Sequence, residues 1–160
     1  MRFRQLDKIT LIEPNVRIEA VRILRADEDY LADHFPKFPV MPGVLMLEAM
    51  YQASAWLVRS SEDFANSVVL LREARNVKYA DFVEPGETLV VSADIIKQDE
   101  RHTTLKAQGT VDGTTAVSGR LILERYPLAE RYPTRASSEG YVRKMLREEF
   151  EQLFQRDSAG

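Results

Sequence analysis

His34, Gly43 and Glu48 are the three positions at which residue type and neighbourhood could do chemistry. His34 opens the run His34-Phe35-Pro36-Lys37-Phe38-Pro39-Val40-Met41-Pro42-Gly43, in which three prolines within seven residues forbid helix and stiffen the chain. Glu48 follows His34 by fourteen residues (48 − 34) and lies in an otherwise apolar stretch. A carboxyl among apolar side chains is costly to ionise, and one that keeps its proton can serve as a general acid. Gly43, where loop meets stretch, offers amide donors at the positive end of a helix and no side chain to keep a carbonyl oxygen away. Base, acid and amide donor together fit removal of a proton next to a carbonyl followed by loss of a β-hydroxyl. Hydrolysis, with Glu48 or His34 activating a water, is the alternative. Each residue also has a plainer reading: His34 as partner in a buried hydrogen bond, Glu48 bonded to Gln52 or Arg59, and Pro42-Gly43 as the turn into the helix alone. The second histidine, His102, sits in a polar hairpin tip and reads as a solvated turn residue.

A helix must carry Glu48. From Val44 to Arg59 the residues Val44, Leu45, Met46, Leu47, Ala49, Met50, Ala53, Ala55, Trp56, Leu57 and Val58 leave no wide polar face, and a helix apolar nearly all round has to be buried nearly all round. Its polar positions Glu48, Gln52 and Arg59, with Ala55 between them, recur at helical spacing and form one narrow stripe; Gln52 reads as a support for Glu48 or for loop backbone. Strands are expected at Ile9 to Ile12, around Ile18, and at Val68 to Lys78, Thr88 to Lys97, Thr103 to Val111 and Thr115 to Glu124. Glu84-Pro85-Gly86-Glu87, Gln98 to His102 and Asp112-Gly113 supply the turns between the later ones. An antiparallel sheet curled around the one helix is the arrangement that would bury it, with a second copy of the chain as the simplest cover for what stays exposed. After Arg125, a helix with Val142, Met145, Leu146, Phe150, Leu153 and Phe154 on one face is expected to pack on the main body or on a neighbouring subunit. The division is thus 1–125 for the body and 126–160 for a helical extension.

Composition excludes several classes. No cysteine is present, so disulfides, thiolate catalysis and cysteine-ligated metals are out, and two histidines cannot build a histidine-rich metal site. No apolar run exceeds four residues, which excludes a membrane-spanning helix and points to a cytoplasmic protein. A net charge of −3 with interspersed signs argues against nucleic acid as the main partner. Local basic groups, with Arg72, Arg75, Lys78, Lys97 and Arg101 as the pool, could still dock an acidic protein.

The run from His34 to Leu45, with Glu48-Ala49-Met50 and Gln52 after it, resembles the active-site signature of the 3-hydroxyacyl-acyl carrier protein dehydratases of type II fatty acid synthesis. Arg75-Asn76-Val77-Lys78-Tyr79 and Val83-Glu84-Pro85-Gly86-Glu87 resemble that family's strand and turn after the helix, so the resemblance runs from Leu6 to Glu124. It implies an α+β hotdog fold, a curved antiparallel β-sheet wrapped around a long central helix. The implied reaction turns a (3R)-3-hydroxyacyl thioester on acyl carrier protein into the trans-2-enoyl thioester, without cofactor or metal. His34 falls on the catalytic histidine, Glu48 on the catalytic glutamate, and Gly43 on the backbone donor to the thioester oxygen. The family's acyl tunnel between subunits implies a homodimer, with assembly to a trimer of dimers left open; Phe38, Met46 and Tyr79 are candidates to line that tunnel, core packing being the alternative for each.

Three features depart from the family. Lys37 stands where glycine is usual, the segment Arg2-Phe3-Arg4-Gln5-Leu6-Asp7 lacks the His-Arg-Tyr-Pro type of entry, and the chain after Arg125 is longer than a minimal dehydratase needs. The rival readings are therefore a hotdog thioesterase and a non-catalytic acyl-binding or scaffolding hotdog in which Lys37 has spoiled the site.

Overall fold

Strand periodicity, turn chemistry and one apolar helix decide the architecture. The computed structural model describes residues 4–28, 31 and 37–154. Among these the order is β1 (Lys8–Glu13), β2 (Arg17–Ile23), α1 (Gly43–Ser61), β3 (Val68–Tyr79), β4 (Thr88–Gln98), β5 (His102–Val111), β6 (Thr114–Tyr126), α2 (Leu128–Arg131), a 3₁₀ turn (Pro133–Ser138) and α3 (Glu139–Leu153). The strands form a single antiparallel sheet in the order β1-β2-β4-β5-β6-β3. Because α1 and β3 intervene between β2 and β4, the helix crosses one face of the sheet it interrupts, which is the expected hotdog arrangement.

Turn residues sit where the backbone demands them. Asn15, between β1 and β2, takes a positive φ of 63°, and its N–H donates to Ser61 Oγ at 2.8 Å, tying the hairpin to the end of α1. Asp112 and Gly113 join β5 to β6 with φ of 49° and 81°, the pair of positive angles a two-residue hairpin needs. Before β5 the Asp99 carboxylate accepts the N–H groups of Arg101 and His102 at 2.9 and 2.8 Å, which holds it below the usual carboxylate range.

The core lies between α1 and the sheet. Ala49, Met50, Ala53 and Leu57 are sealed from solvent together with Ile18, Leu89, Val91, Leu105 and Leu121 from four strands. Alanines on this side of the helix leave room for the larger strand residues. The far end of α1 is covered by the chain itself. Phe150 of α3 has its ring centroid 6.0 Å from Trp56 and 5.8 Å from Phe64, and Leu153 beside it is 1 % exposed. Positive φ at Asp63 (50°) and Phe64 (62°) turns the chain back at the end of α1, and Arg147 and Arg143 donate to the carbonyls of Asp63 and Ala65 at 3.1 and 3.0 Å.

Met145 departs from the expected apolar face of this helix. It is 51 % exposed, because α3 meets the body through Leu146, Phe150, Leu153 and Phe154, and Met145 lies about 100° round the helix from Leu146.

Candidate active site

The helix that carries Glu48 starts at a proline–glycine step. Pro42 caps α1 in an extended conformation (φ −57°, ψ 139°), and its carbonyl accepts the N–H groups of Leu45 and Met46 at 3.0 and 3.4 Å. The amides of Gly43 and Val44 precede that first bonded turn and have no acceptor within the helix. Upstream, Val40 and Met41 are buried and the Met41 N–H donates to Val83 O at 2.8 Å, so the proline loop is stitched to the connection between β3 and β4. Gly43 sits under an aromatic ring. A Cβ built on it would lie 2.9 Å from Cε1 of Tyr79, closer than side-chain carbons tolerate, so glycine is what lets the end of β3 close over the helix start.

Glu48 is half-buried, one turn and a half into α1. The expected narrow polar stripe is present: Gln52 Nε2 donates to Glu48 Oε1 at 3.0 Å. Gln52 Oε1 in turn accepts the backbone N–H of Gln5 at 2.8 Å, so Gln52 supports Glu48 and grips backbone at once. That backbone belongs to the segment leading into β1, not to the proline loop. The setting of Glu48 is accordingly less apolar than its neighbours in sequence suggest.

Arg59, at the far end of the stripe, does not reach Glu48. Its guanidinium lies 5.3 Å from the Trp56 ring centroid and interacts with Tyr51, and burial holds it below the ordinary arginine value against the opposing pull of Tyr51 and Glu149. The Tyr51 hydroxyl donates to Val69 O at 2.5 Å, and burial pushes this phenol up. Burial is the main cause of both shifts, and the charge of Glu48 adds to the rise at Tyr51.

His34 lies outside the described residues. His102 is the first residue of β5; its ring stands 3.6 Å from Asp99 and 3.8 Å from Glu124, part of a charged cluster at the sheet's end where Glu124, 5 % exposed, also meets Arg72 at 3.2 Å and Arg131. The tunnel candidates separate into two kinds. Met46 is 3 % exposed and belongs to the core. Phe38 and Tyr79 are about half exposed; Phe38 packs edge-on against Phe82 at 5.2 Å, and Val44, beside Gly43, is likewise open to solvent. Sequence reading missed Phe82, although an aromatic three residues after Tyr79 in a solvent-facing turn was a visible signal. Among the described residues no group of three His, Asp or Glu side chains is arranged to hold a metal ion.

The half-buried Glu48 carboxyl, held by the Gln52 amide, thus lies five residues beyond the helix start at Gly43, which the Tyr79 ring covers. The six-stranded antiparallel sheet and the helix across it define a hotdog protein, and comparison with known proteins supplies the family. The sequence model of the FabA-like domain matches residues 1–120, and the chain belongs to that family. It is 33 % identical over 119 residues, 74 % of this chain and 84 % of the relative, to the 3-hydroxyacyl-[acyl-carrier-protein] dehydratase FabZ of Ruminiclostridium cellulolyticum. Against the FabZ dehydratase of Lactococcus lactis subsp. cremoris the identity is 38 % over 104 residues, covering 65 % of this chain and 72 % of the relative. Among solved structures, the dehydratase heterocomplex ApeI:P from Xenorhabdus doucetiae shares the fold, with a TM-score of 0.65 at 20 % identity over 84 % of this chain and 90 % of that one.

Proposed function

We propose that the protein dehydrates (3R)-3-hydroxyacyl chains carried on acyl carrier protein to the trans-2-enoyl thioesters, in fatty acid or related acyl-chain synthesis. The observation that carries this reading is the Glu48 carboxyl, set on the central helix of a FabA-like chain whose FabZ relatives are dehydratases. In this scheme His34 removes the proton from Cα while the Gly43 N–H holds the thioester oxygen as its charge grows. Glu48 gives its proton to the C3 hydroxyl, the C–O bond breaks, and water leaves as the new double bond forms. His34 returns its proton to solvent and Glu48 regains one, so no cofactor is consumed. A positioned acid or base contributes about 10² to 10⁴ in rate and one oxyanion donor about 3 kcal/mol.

The working unit we propose is a homodimer, which can assemble further into a trimer of dimers, with His34 of one protomer meeting Glu48 of the other. Support comes from β3, twelve residues long, which pairs with β6 on one side and forms an edge of the sheet on the other. Within the chain, 1–125 is the catalytic body and 126–160 the extension. Carrier docking falls to Lys78 and Lys97, both exposed, because Arg72, Arg75 and Arg101 of the basic pool are turned to Glu124, Glu73 and Glu130 of their own chain. We place the protein in the cytoplasm. Separately, no helix among the described residues is long and apolar enough to cross a membrane.

Incubation with 3-hydroxyacyl carrier protein followed by mass analysis is the test. Loss of one water from the carrier-bound chain supports the reading. Release of free acid would make the protein a thioesterase, and an unchanged substrate would make it a binding or scaffolding hotdog; either result overturns it.

A further inference from the structure

A chain of polar groups runs from Glu48 to the opposite side of the N-terminal segment. Gln52 Nε2 donates to Glu48 Oε1 (3.0 Å), the Gln5 N–H donates to Gln52 Oε1 (2.8 Å), and the Arg22 Nε–H donates to Gln5 Oε1 (3.2 Å). Arg22 is then fixed from its far side: Glu28 takes both ends of the guanidinium, and Nη1 donates to Ile23 O at 2.5 Å. Gln5 and Arg22 are 2 % and 5 % exposed, so these bonds lie out of competition with water.

The pattern has a direction. A backbone N–H can only donate, so Gln5 fixes which end of the Gln52 amide is oxygen and obliges Gln52 to present N–H to Glu48. The carbonyl oxygen of a carboxylic acid is the better acceptor, so a bond received at Oε1 favours the proton of the acid form on Oε2. Arg22 locks the same Gln5 through its side chain, and Gln5 thus holds one residue with its backbone and another with its amide.

We propose that Gln5 and Arg22 are positioning residues for the Glu48 carboxyl, acting through Gln52 to decide which of its oxygens carries the proton. This rests on the reading of Glu48 as the acid of the dehydration. It assigns work to the segment before β1 where this chain departs from the family's usual entry.

The experiment compares Gln5→Leu, Gln5→Glu and Gln52→Leu with wild type and with Glu48→Gln, in steady-state dehydration of a 3-hydroxyacyl carrier protein. Gln5→Glu keeps an oxygen for Arg22 and should stay within about twofold of wild type. Gln5→Leu and Gln52→Leu should lower kcat about tenfold with KM little changed, since misplacing a reacting group reduces turnover more than binding. Melting curves show that each variant is folded, and Gln5→Glu controls for loss of packing at residue 5. If Glu48→Gln is inactive while Gln5→Leu turns over like wild type, the positioning role is overturned and the reading of Glu48 stands. If Gln5→Leu and Gln5→Glu fall equally, or KM alone changes, the segment is structural and the proposal fails. If Glu48→Gln is as active as wild type, the reading of the acid fails and takes this inference with it.

Discussion

The ring of Tyr79 rests on Gly43, with Cε1 2.9 Å from the point a Cβ would occupy. The end of β3 and the start of α1 therefore meet through a residue that has no side chain, beside amides that lack helical acceptors.

Gly43→Ala should consequently lower kcat/KM about tenfold even though it keeps the N–H, because the ring or the helix start has to shift by several tenths of an ångström. Adding Tyr79→Ala removes the obstacle and should recover part of the loss. Kinetics of the single and double variants decide it: a Gly43→Ala chain with wild-type turnover would show that the close approach has no bearing on the site.

The shared site predicts complementation. Chains carrying His34→Ala and Glu48→Ala, separately tagged and co-expressed, form a mixed dimer in which one site collects both lesions and the other has none. Its activity should be about half that of wild type if catalysis needs both groups from different protomers. A mixed dimer confirmed by gel filtration and no more active than its parents would mean that each site is built within one chain.

Phe150 ties α3 to Trp56 and Phe64. Phe150→Ala should destabilise the protein by about 2 kcal/mol, below the usual range for a fully buried phenylalanine because the residue is partly exposed. Phe150→Leu should cost less than half of that. Denaturant melts read both, and an unchanged midpoint for the alanine variant would show that the helix contributes no packing.

Tyr51 gives a pH prediction. Its phenol is pushed up by burial and donates to Val69 O, so the folded state favours the protonated ring. A group whose folded value is raised contributes stability that is whole below its unfolded value, about 10, and is lost as pH rises through the folded value. Tyr51→Phe loses the hydrogen bond, about 1 kcal/mol, at neutral pH. The gap between wild type and variant should narrow above pH 10. A gap that stays constant from pH 8 to 11 in chemical melts would contradict this account.

Much of this was readable in the residues. The helix over 44–59 and the later strands came from periodicity, and the turn at Asp112-Gly113 from residues that tolerate positive φ. Glu48 and Gln52 were legible as a pair because four residues on a helix put two side chains on one stripe. Gln5 was not, since its bond to Gln52 spans 47 residues and depends on where β1 lands. The face of α3 was misjudged at Met145 for a similar reason: helical spacing gives the apolar side, whereas packing against the body determines which edge of that side is covered.

The cover over α1 also affects how the chain can be made. Trp56 and Phe64 leave the ribosome long before Phe150, and Arg4 pairs with Glu149 at 3.4 Å across 145 positions. Contacts of such sequence separation form late, because the loop they close must first be brought together. During synthesis Trp56 and Phe64 thus lack the cover of Phe150 until α3 has been translated, and transiently exposed apolar surface of this kind is prone to association.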